Sequence, residues 1–267
     1  MSKNKELTTK KENSLMFSID DSAMNKMNED AKSYVDNTSP DDIAMPRIKI
    51  LQSASDEVKK SSPEFITGAE EGDLLNSLSK QVFKGDEGLL FVPAFKRIVY
   101  LEWKDRAAGG GLVANYGEDA TPFLEAEVKE NGKRISKAGH EIVKTYDFFG
   151  YVLDVASSKV SEVVISMSKT QAKKAKNWNT VMRQLTSKEG NQLPIYAGVY
   201  QLNTIAESND KGSWFNYDIK FVGFTLGVPN IGAKIYDKAE SFAKLISENS
   251  VKVSYDNEVS DSSEDRV

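Results

Sequence analysis

The stretch Leu89–Trp103 reads LLFVPAFKRIVYLEW and indicates a long β-strand. Its first half is apolar, and its second half alternates, as expected when successive side chains point to opposite faces of a sheet. Pro93 removes a backbone donor, so it indicates an edge position or a bulge. One face then carries Phe95, Arg97, Val99, Leu101 and Trp103, and the other carries Lys96, Ile98, Tyr100 and Glu102.

Further β-rich segments follow along the chain. Residues 142–154 (IVKTYDFFGYVLD) predict a second long strand with a bend at Gly150, and residues 162–167 predict a short strand. Residues 195–206 and 213–224 flank a segment containing Asn209, Asp210 and Gly212. These residue types favour tight turns, so the two segments are predicted to form an antiparallel hairpin.

Two segments show helical rather than strand periodicity. Residues 170–185 place Ala175, Trp178 and Met182 on one stripe, and residues 233–249 repeat this pattern. Several short antiparallel strands with one inserted helix and one C-terminal helix predict a mainly β protein, an OB-type Greek-key barrel. A β-sandwich with appended helices is the alternative architecture.

The 267 residues divide by composition into a folded body and two polar ends. Residues 1–45 lack apolar periodicity and are predicted to be a disordered polar arm, whereas residues 46–250 form the folded domain. Residues 251–267 are predicted to be a disordered acidic tail because they lack the apolar surface needed to offset ordering entropy. The acidic residues of this tail are Asp256, Glu258, Asp261, Glu264 and Asp265.

Cysteine and histidine usage excludes several kinds of chemistry. The chain has no cysteine and one histidine, His140, so disulfides, thiol nucleophiles and zinc sites built from thiolate or paired imidazole ligands are excluded. No carboxylate motif predicts a metal site, and we expect no cofactor and no catalytic residues. No run approaches the roughly 18 apolar residues of a membrane span, and no signal peptide is visible, so we expect a cytoplasmic protein without a membrane partner.

Basic residues interleaved with aromatic residues are the feature that points to function. Cations can track the phosphates of a single strand while flat rings stack on its unpaired bases, a combination that tolerates any sequence. The candidate DNA-binding residues are Lys96, Arg97, Tyr100, Trp103, Lys104 and Arg106, followed by Lys144, Tyr146, Lys173, Lys176 and Trp214. The formal net charge of −5 argues against this partner for the whole chain, but the acidic surplus is concentrated in the tail.

A structural interpretation of the same residues stays open. Aromatic residues on strands usually belong to the core, and Trp178 lies on the apolar stripe of its helix. The lysines of that helix could simply solvate its outer face. Residues 170–185 nevertheless contain four positive charges and no acidic residue, which is not the balanced pattern of salt bridges along a helix.

Three segments together resemble the single-stranded DNA-binding proteins of tailed bacteriophages. They are PRIKILQ at residues 46–52, GAEEGDLLNS at 68–77 and FVPAFKRIVYLEWKDRAAGGG at 91–111. The resemblance implies an OB-fold core, binding to unpaired DNA in replication, recombination and repair, and contact of the acidic tail with a DNA polymerase or helicase. The tail ends in Arg266 and Val267 rather than in an aromatic residue, which departs from the pattern of the family.

The sequence therefore predicts a non-enzymatic protein that binds single-stranded DNA without strong sequence preference. A mobile acidic tail can occupy the same cationic surface and regulate binding. Two other classes remain open, a virion structural or scaffolding protein and a recombination mediator that anneals strands. Self-association into a homo-oligomer is compatible with all three.

Overall fold

The computed structural model describes residues 20–31, 33, 45–210 and 212–247. The chain divides into two units, Met1–Ser39 and Pro40–Val267. The first unit contains a helix, α1 (Asp21–Ala31), in a segment where the sequence predicted only a polar arm. Asp20 Oδ1 accepts a hydrogen bond from the backbone N–H of Ala23 at 2.7 Å, which is the N-capping interaction that periodicity alone did not reveal.

The second unit is built mainly from antiparallel strands. A small sheet contains β1 (Ile48–Ile50), β2 (Leu74–Asn76) and β3 (Val82–Phe83). The large sheet contains β4 (Leu89–Trp103), β5 (Leu112–Asn115), β6 (Glu127–Val128), β7 (Arg134–Ile135), β8 (Glu141–Asp154), β9 (Lys159–Met167), β10 (Gly198–Asn209) and β11 (Gly212–Phe224). Its strand order is β11-β10-β4-β8-β7-β6, with β5 also pairing with β4 and β9 with β8.

Within the described part of this unit, three α-helices accompany the strands: α2 (Thr121–Glu125), α3 (Ala172–Gln184) and α4 (Gly232–Ser247). The predicted helices at 170–185 and 233–249 correspond to α3 and α4, with a 3-10 turn at Lys169–Gln171 replacing the first turn of the former. The predicted hairpin corresponds to β10 and β11. Among the described residues, no helix is both long enough and apolar enough to cross a membrane.

The large sheet is curled into a half-barrel. The segment that contains β1 contacts two separate strands of this sheet, β9 and β11. On one side, Arg47 forms a parallel bridge to Val164 of β9. On the other side, the Gln52 side chain donates to the carbonyl of Phe215 in β11 and accepts from its N–H, both at 2.9 Å. The mainly β class is thus confirmed, and the curled antiparallel sheet is consistent with a barrel.

Two apolar clusters lie on opposite faces of the large sheet. The inner cluster places Trp178 and Met182 of α3 against Phe91, Phe148 and Tyr200. The outer cluster places α4, through residues such as Phe242, against Phe149, Tyr151 and Leu101. Because β8 contributes Phe148 to one cluster and Phe149 to the other, this strand is buried on both faces, which explains its continuous apolar pattern.

Strands β4 and β8 pair along most of their length and form a two-stranded ribbon, the β4–β8 ribbon. Pro93 and Gly150 mark its bend. Pro93 lies in a central strand rather than at an edge, and the register shifts between Pro93 and Phe95, so the bulge is the correct interpretation of this proline. Gly150 is opposite Pro93, and a Cβ atom at Gly150 would lie 2.1 Å from the carbonyl oxygen of Val92. The predicted bend at Gly150 therefore has a steric cause.

We expect Gly150→Ala to lower the free energy of unfolding by about 1–3 kcal/mol, since an added methyl group must displace backbone in a packed interior. Gly227→Ala is the matched control, because no heavy atom outside its neighbours lies within 4 Å of a Cβ there and its φ is not positive. The control should change stability by less than about 0.5 kcal/mol. Urea unfolding of both variants measures the difference, and equal stabilities would contradict the steric account.

Candidate functional site

A cleft of about 410 Å³ lies on the inner face of the β4–β8 ribbon, next to α3. Its floor is apolar and aromatic, and its rim carries charged and polar groups. Such a combination suits a ligand with flat rings and a charged backbone. The residues that line it are Lys96, Arg97, Ile98, Tyr100, Glu118, Tyr146, Phe148 and Asn179.

The antiparallel register of β4 and β8 builds the floor of this cleft. Lys96 is opposite Phe148, Ile98 is opposite Tyr146, and Tyr100 is opposite Lys144. Directly opposed residues of an antiparallel pair lie on the same face, so these six side chains share one surface. The sheet thus brings together four residues predicted from the sequence: Lys96, Tyr100, Lys144 and Tyr146.

Helix α3 forms one wall and adds positive charge. Lys96 Nζ donates a hydrogen bond to Asn179 Oδ1 at 2.7 Å. Partial burial, and secondarily the positive charge of Arg183, lowers the pKa of Lys96. Lys176 and Arg183 are exposed and lie three residues before and four residues after Asn179, so both flank it on the same side of the helix.

The aromatic side chains in the cleft are mostly covered by protein. Tyr100 is 8% exposed and its ring packs against Phe123 of α2, with 5.1 Å between centroids. Tyr146 is 5% exposed, and Lys144 Nζ lies 5.5 Å from the centroid of its ring. Little of either ring is therefore open to a ligand, and the half-buried Ile98 completes the floor.

Alternation along β4 turns Arg97 and Trp103 toward the outer face, although Arg97 still belongs to the lining of the cleft. Arg97 borders the cleft, but its Nε lies 3.6 Å from Asp147 Oδ2 and its guanidinium lies 4.9 Å from the Phe149 ring centroid. Trp103 packs at the edge of the outer cluster with α4. The prediction that all cations and rings of this strand share one surface is wrong for Trp103, and Arg97 meets the cleft only at its border.

The remaining predicted residues are dispersed. Lys104 is exposed just after β4, Arg106 begins a 3-10 turn, and Lys173 is exposed in the first turn of α3. Trp214 is half-buried on β11, opposite Glu207. The acidic tail residues Asp256, Glu258, Asp261, Glu264 and Asp265 lie outside the described residues.

A buried carboxylate network holds the end of the β4–β8 ribbon. Glu102 Oε2 accepts a hydrogen bond from the Tyr116 hydroxyl, and Oε1 accepts one from Ser136 at 2.6 Å. His140 Nδ1 lies 3.0 Å from the same Oε1. Burial alone raises the pKa of Glu102, but the hydrogen bonds from Ser136, Tyr116 and His140 outweigh burial and hold the pKa below its usual value of 4.5. His140, the single histidine of the chain, therefore has a structural partner in Glu102.

Asn179 and Arg183 are polar site residues on α3 that sequence reasoning did not select. The sequence does indicate that these two residues lie beside a predicted one, because Lys176, Asn179 and Arg183 are spaced as residues on one side of a helix. That spacing shows that the three residues are neighbours on α3. It does not show which part of the sheet they face, and this depends on how α3 is packed.

A family model described as "Pam3 phage gp34-like protein" matches residues 10–252. No curated protein and no solved structure matches the chain. The description of the family indicates a phage protein. Because the match covers more than half of the 267 residues, the chain belongs to the family of Pam3 phage gp34-like proteins.

Proposed function

We propose that this protein binds single-stranded DNA, without enzymatic activity, through the cleft between the β4–β8 ribbon and α3. The observation that carries the proposal is the placement of Lys96, Lys144 and Arg183 around a floor of Ile98 and Tyr146. Cations at a rim can neutralise phosphates, while an apolar floor accepts base edges. We further propose that the curled sheet is an OB-type Greek-key barrel, which the inner position of α3 supports.

The chemistry of the cleft favours an unpaired strand over a duplex. The apolar floor would have no partner in a duplex, whose bases are stacked and paired inside the helix. Glu118 lies on the rim and repels phosphate, so the backbone is expected to follow the α3 side, where Lys176 and Arg183 are exposed. The protein would act in phage DNA replication, recombination and repair in the host cytoplasm.

Tryptophan fluorescence titration with poly(dT) at several salt concentrations tests this proposal. The chain has three tryptophans, Trp103, Trp178 and Trp214, which serve as reporters. If Z phosphates are neutralised, the logarithm of the binding constant should fall with a slope of about −0.7Z against the logarithm of salt concentration. Absence of binding, or equal affinity for duplex DNA, would contradict the proposal. Accelerated pairing of complementary strands would favour an annealing mediator, and self-assembly without DNA binding would favour a virion protein.

We expect deletion of residues 256–267 to tighten oligonucleotide binding, most strongly at low salt. The five acidic residues of this segment would otherwise compete with phosphate for the cationic rim, and screening weakens that competition as salt rises. Conversion of all five acids to their amides keeps the length of the tail and should reproduce the effect of the deletion. If the wild type, the deletion variant and the amide variant bind the oligonucleotide with equal affinity at low salt, the tail does not occupy the cleft. The tail would then keep only the role that the resemblance implies, contact with a DNA polymerase or helicase.

A further inference from the structure

The outer edge of β11 offers free backbone groups in the second half of the strand. Strand β11 ends the strand order of the large sheet, so one of its edges has no neighbouring strand. In its first half, Gln52 binds the backbone N–H and carbonyl of Phe215, so these groups point away from β10. Backbone direction alternates along a strand, and the same groups of Ile219 and Phe221 therefore also point outward. In the described part of the chain, they have no hydrogen-bond partner.

Exposed aromatic rings stand at this free edge. Phe221 is 38% exposed and Phe224 is 50% exposed, and their rings pack edge to face with 5.3 Å between centroids. Val222 and Leu226, which are also exposed, extend this apolar group. Single exposed apolar residues are normal on a protein surface, but a contiguous group marks an interaction site.

A small cleft of about 170 Å³ lies beside the same part of β11, between this strand and α3. Its apolar and aromatic lining includes Tyr217 and Ile219 of β11 and Trp178 and Val181 of α3. A cavity of about 150 Å³ is known to hold a benzene molecule, so this cleft has room for one phenyl ring. One strand thus carries both an exposed ring and a hole of the size of a ring.

A second copy of the chain fits this edge when two β11 strands pair antiparallel about a two-fold axis at Ile219. Ile219 is then opposite its own counterpart, and its outward N–H and carbonyl groups pair across the axis. In the same register, Phe221 of each copy is opposite Tyr217 of the other, and opposed residues lie on the same face of a sheet. Because Tyr217 lines the small cleft, this register brings each exposed ring to the cleft of the other copy.

The charges of β11 are complementary in the same register. Asp218 and Lys220 form an ion pair within one chain, with 2.8 Å between Nζ and Oδ2. In the two-fold pairing, Asp218 of each copy is opposite Lys220 of the other, and opposite charges at such positions stabilise a sheet. A lysine on an edge strand usually discourages pairing because its charge would be left unmatched. Here the charge of Lys220 is matched on both strands.

We propose that the protein forms a two-fold symmetric dimer through β11, in which the Phe221 ring of each copy enters the cleft between β11 and α3 of the other. Both copies use the same surface, so the assembly closes after two copies. The dimer covers the free backbone groups of Ile219 and Phe221. It uses none of the residues that line the proposed DNA-binding cleft, and it does not depend on the proposed function.

Sedimentation equilibrium of the full chain without DNA tests this proposal. We expect the wild type to show a concentration-dependent equilibrium between monomer and dimer. Phe221→Ala should weaken dimerisation about 30-fold or more, the usual loss for a central aromatic residue of an interface. Leu124→Ala is the matched control, because Leu124 is 66% exposed on α2, away from β11, and this variant should dimerise as the wild type does. A wild type that stays monomeric up to its limit of solubility, or a dimer that Phe221→Ala leaves intact, would overturn the proposal.

A charge exchange tests the register without changing an apolar residue. Asp218→Lys and Lys220→Asp each place like charges opposite one another, so each variant alone should self-associate about tenfold more weakly than the wild type. An equimolar mixture of the two variants restores opposite charges at both positions, and it should form a dimer about as tight as that of the wild type. A mixture that associates no more tightly than either variant alone would refute this register. Neither experiment contains DNA, so failure of the dimer is distinguishable from failure of the proposed function.

Discussion

Replacing Glu102 by alanine is expected to lower the free energy of unfolding by about 2–4 kcal/mol, because it removes the buried acceptor of several hydrogen bonds. The carboxylate binds the hydroxyls of Tyr116 and Ser136 and lies beside His140. Alanine would leave these half-buried groups without their acceptor and would also leave a cavity. Urea unfolding at pH 7 measures the loss.

Glu118→Ala is the matched control for this prediction, because Glu118 is an exposed acid close to the same end of the ribbon. It should change stability by no more than about 0.5 kcal/mol. A similarly small effect of Glu102→Ala would show that the network contributes little to the fold.

The pH dependence of stability provides an independent readout of Glu102. Its pKa in the folded protein is below the usual value of 4.5, so the ionised carboxylate stabilises the fold above that value. This stabilisation is lost as the pH falls below 4.5 and through the lower pKa of the folded state. The stability difference between wild type and Glu102→Gln should therefore be constant near neutral pH and shrink in acid. A difference that does not change in acid would contradict the lowered pKa.

Reversing the charge of Lys144 and Arg183 together should weaken single-stranded DNA binding about 100-fold or more. Each charged hydrogen bond to a phosphate is worth about 1.5–3 kcal/mol, and about 1.4 kcal/mol corresponds to a factor of ten in affinity. The two residues approach the cleft from different elements, β8 and α3. The double variant Lys144→Glu, Arg183→Glu is therefore expected to affect both walls. Fluorescence anisotropy of a labelled oligo(dT) measures the affinity.

The control for this experiment reverses two exposed lysines of α4, Lys234 and Lys238. The Lys234→Glu, Lys238→Glu variant changes the net charge by the same amount, but α4 covers the opposite face of the sheet. Screening at physiological salt limits its effect on a distant strand. If both double variants lose the same affinity, the effect is one of net charge and not of a cleft.

The alternation in Leu89–Trp103 predicted both the strand and the division of its side chains between two faces. The structure confirms this division, since Val99 and Leu101 join the outer cluster while Tyr100 lies on the inner side with Ile142. The same alternation should have separated Lys96 from Arg97 and Tyr100 from Trp103. Grouping cations and rings by closeness in sequence ignored this periodicity, and it placed residues of opposite faces in one site.

The walls of the cleft could not be derived from local patterns. The periodicity of α3 identifies its buried stripe, but the position of Asn179 beside Lys96 depends on contacts between residues 83 positions apart. Likewise, the network around Glu102 joins the end of β4 to the turn before β8, and no motif in either segment predicts this contact. Such contacts are determined by the packing of the whole domain, whereas a sequence pattern reports only neighbours along the chain.

The bond between Gln52 and Phe215 also bears on how the chain acquires its structure during synthesis. These two residues are 163 positions apart. The ribosome must therefore release most of the domain before Gln52 can form its hydrogen bonds to Phe215 in β11. Until then the segment that contains β1 cannot contact β11, and its apolar residues can associate with other chains. Such late, long-range contacts slow folding and prolong exposure to aggregation, so a nascent chain halted before residue 215 is expected to need a chaperone.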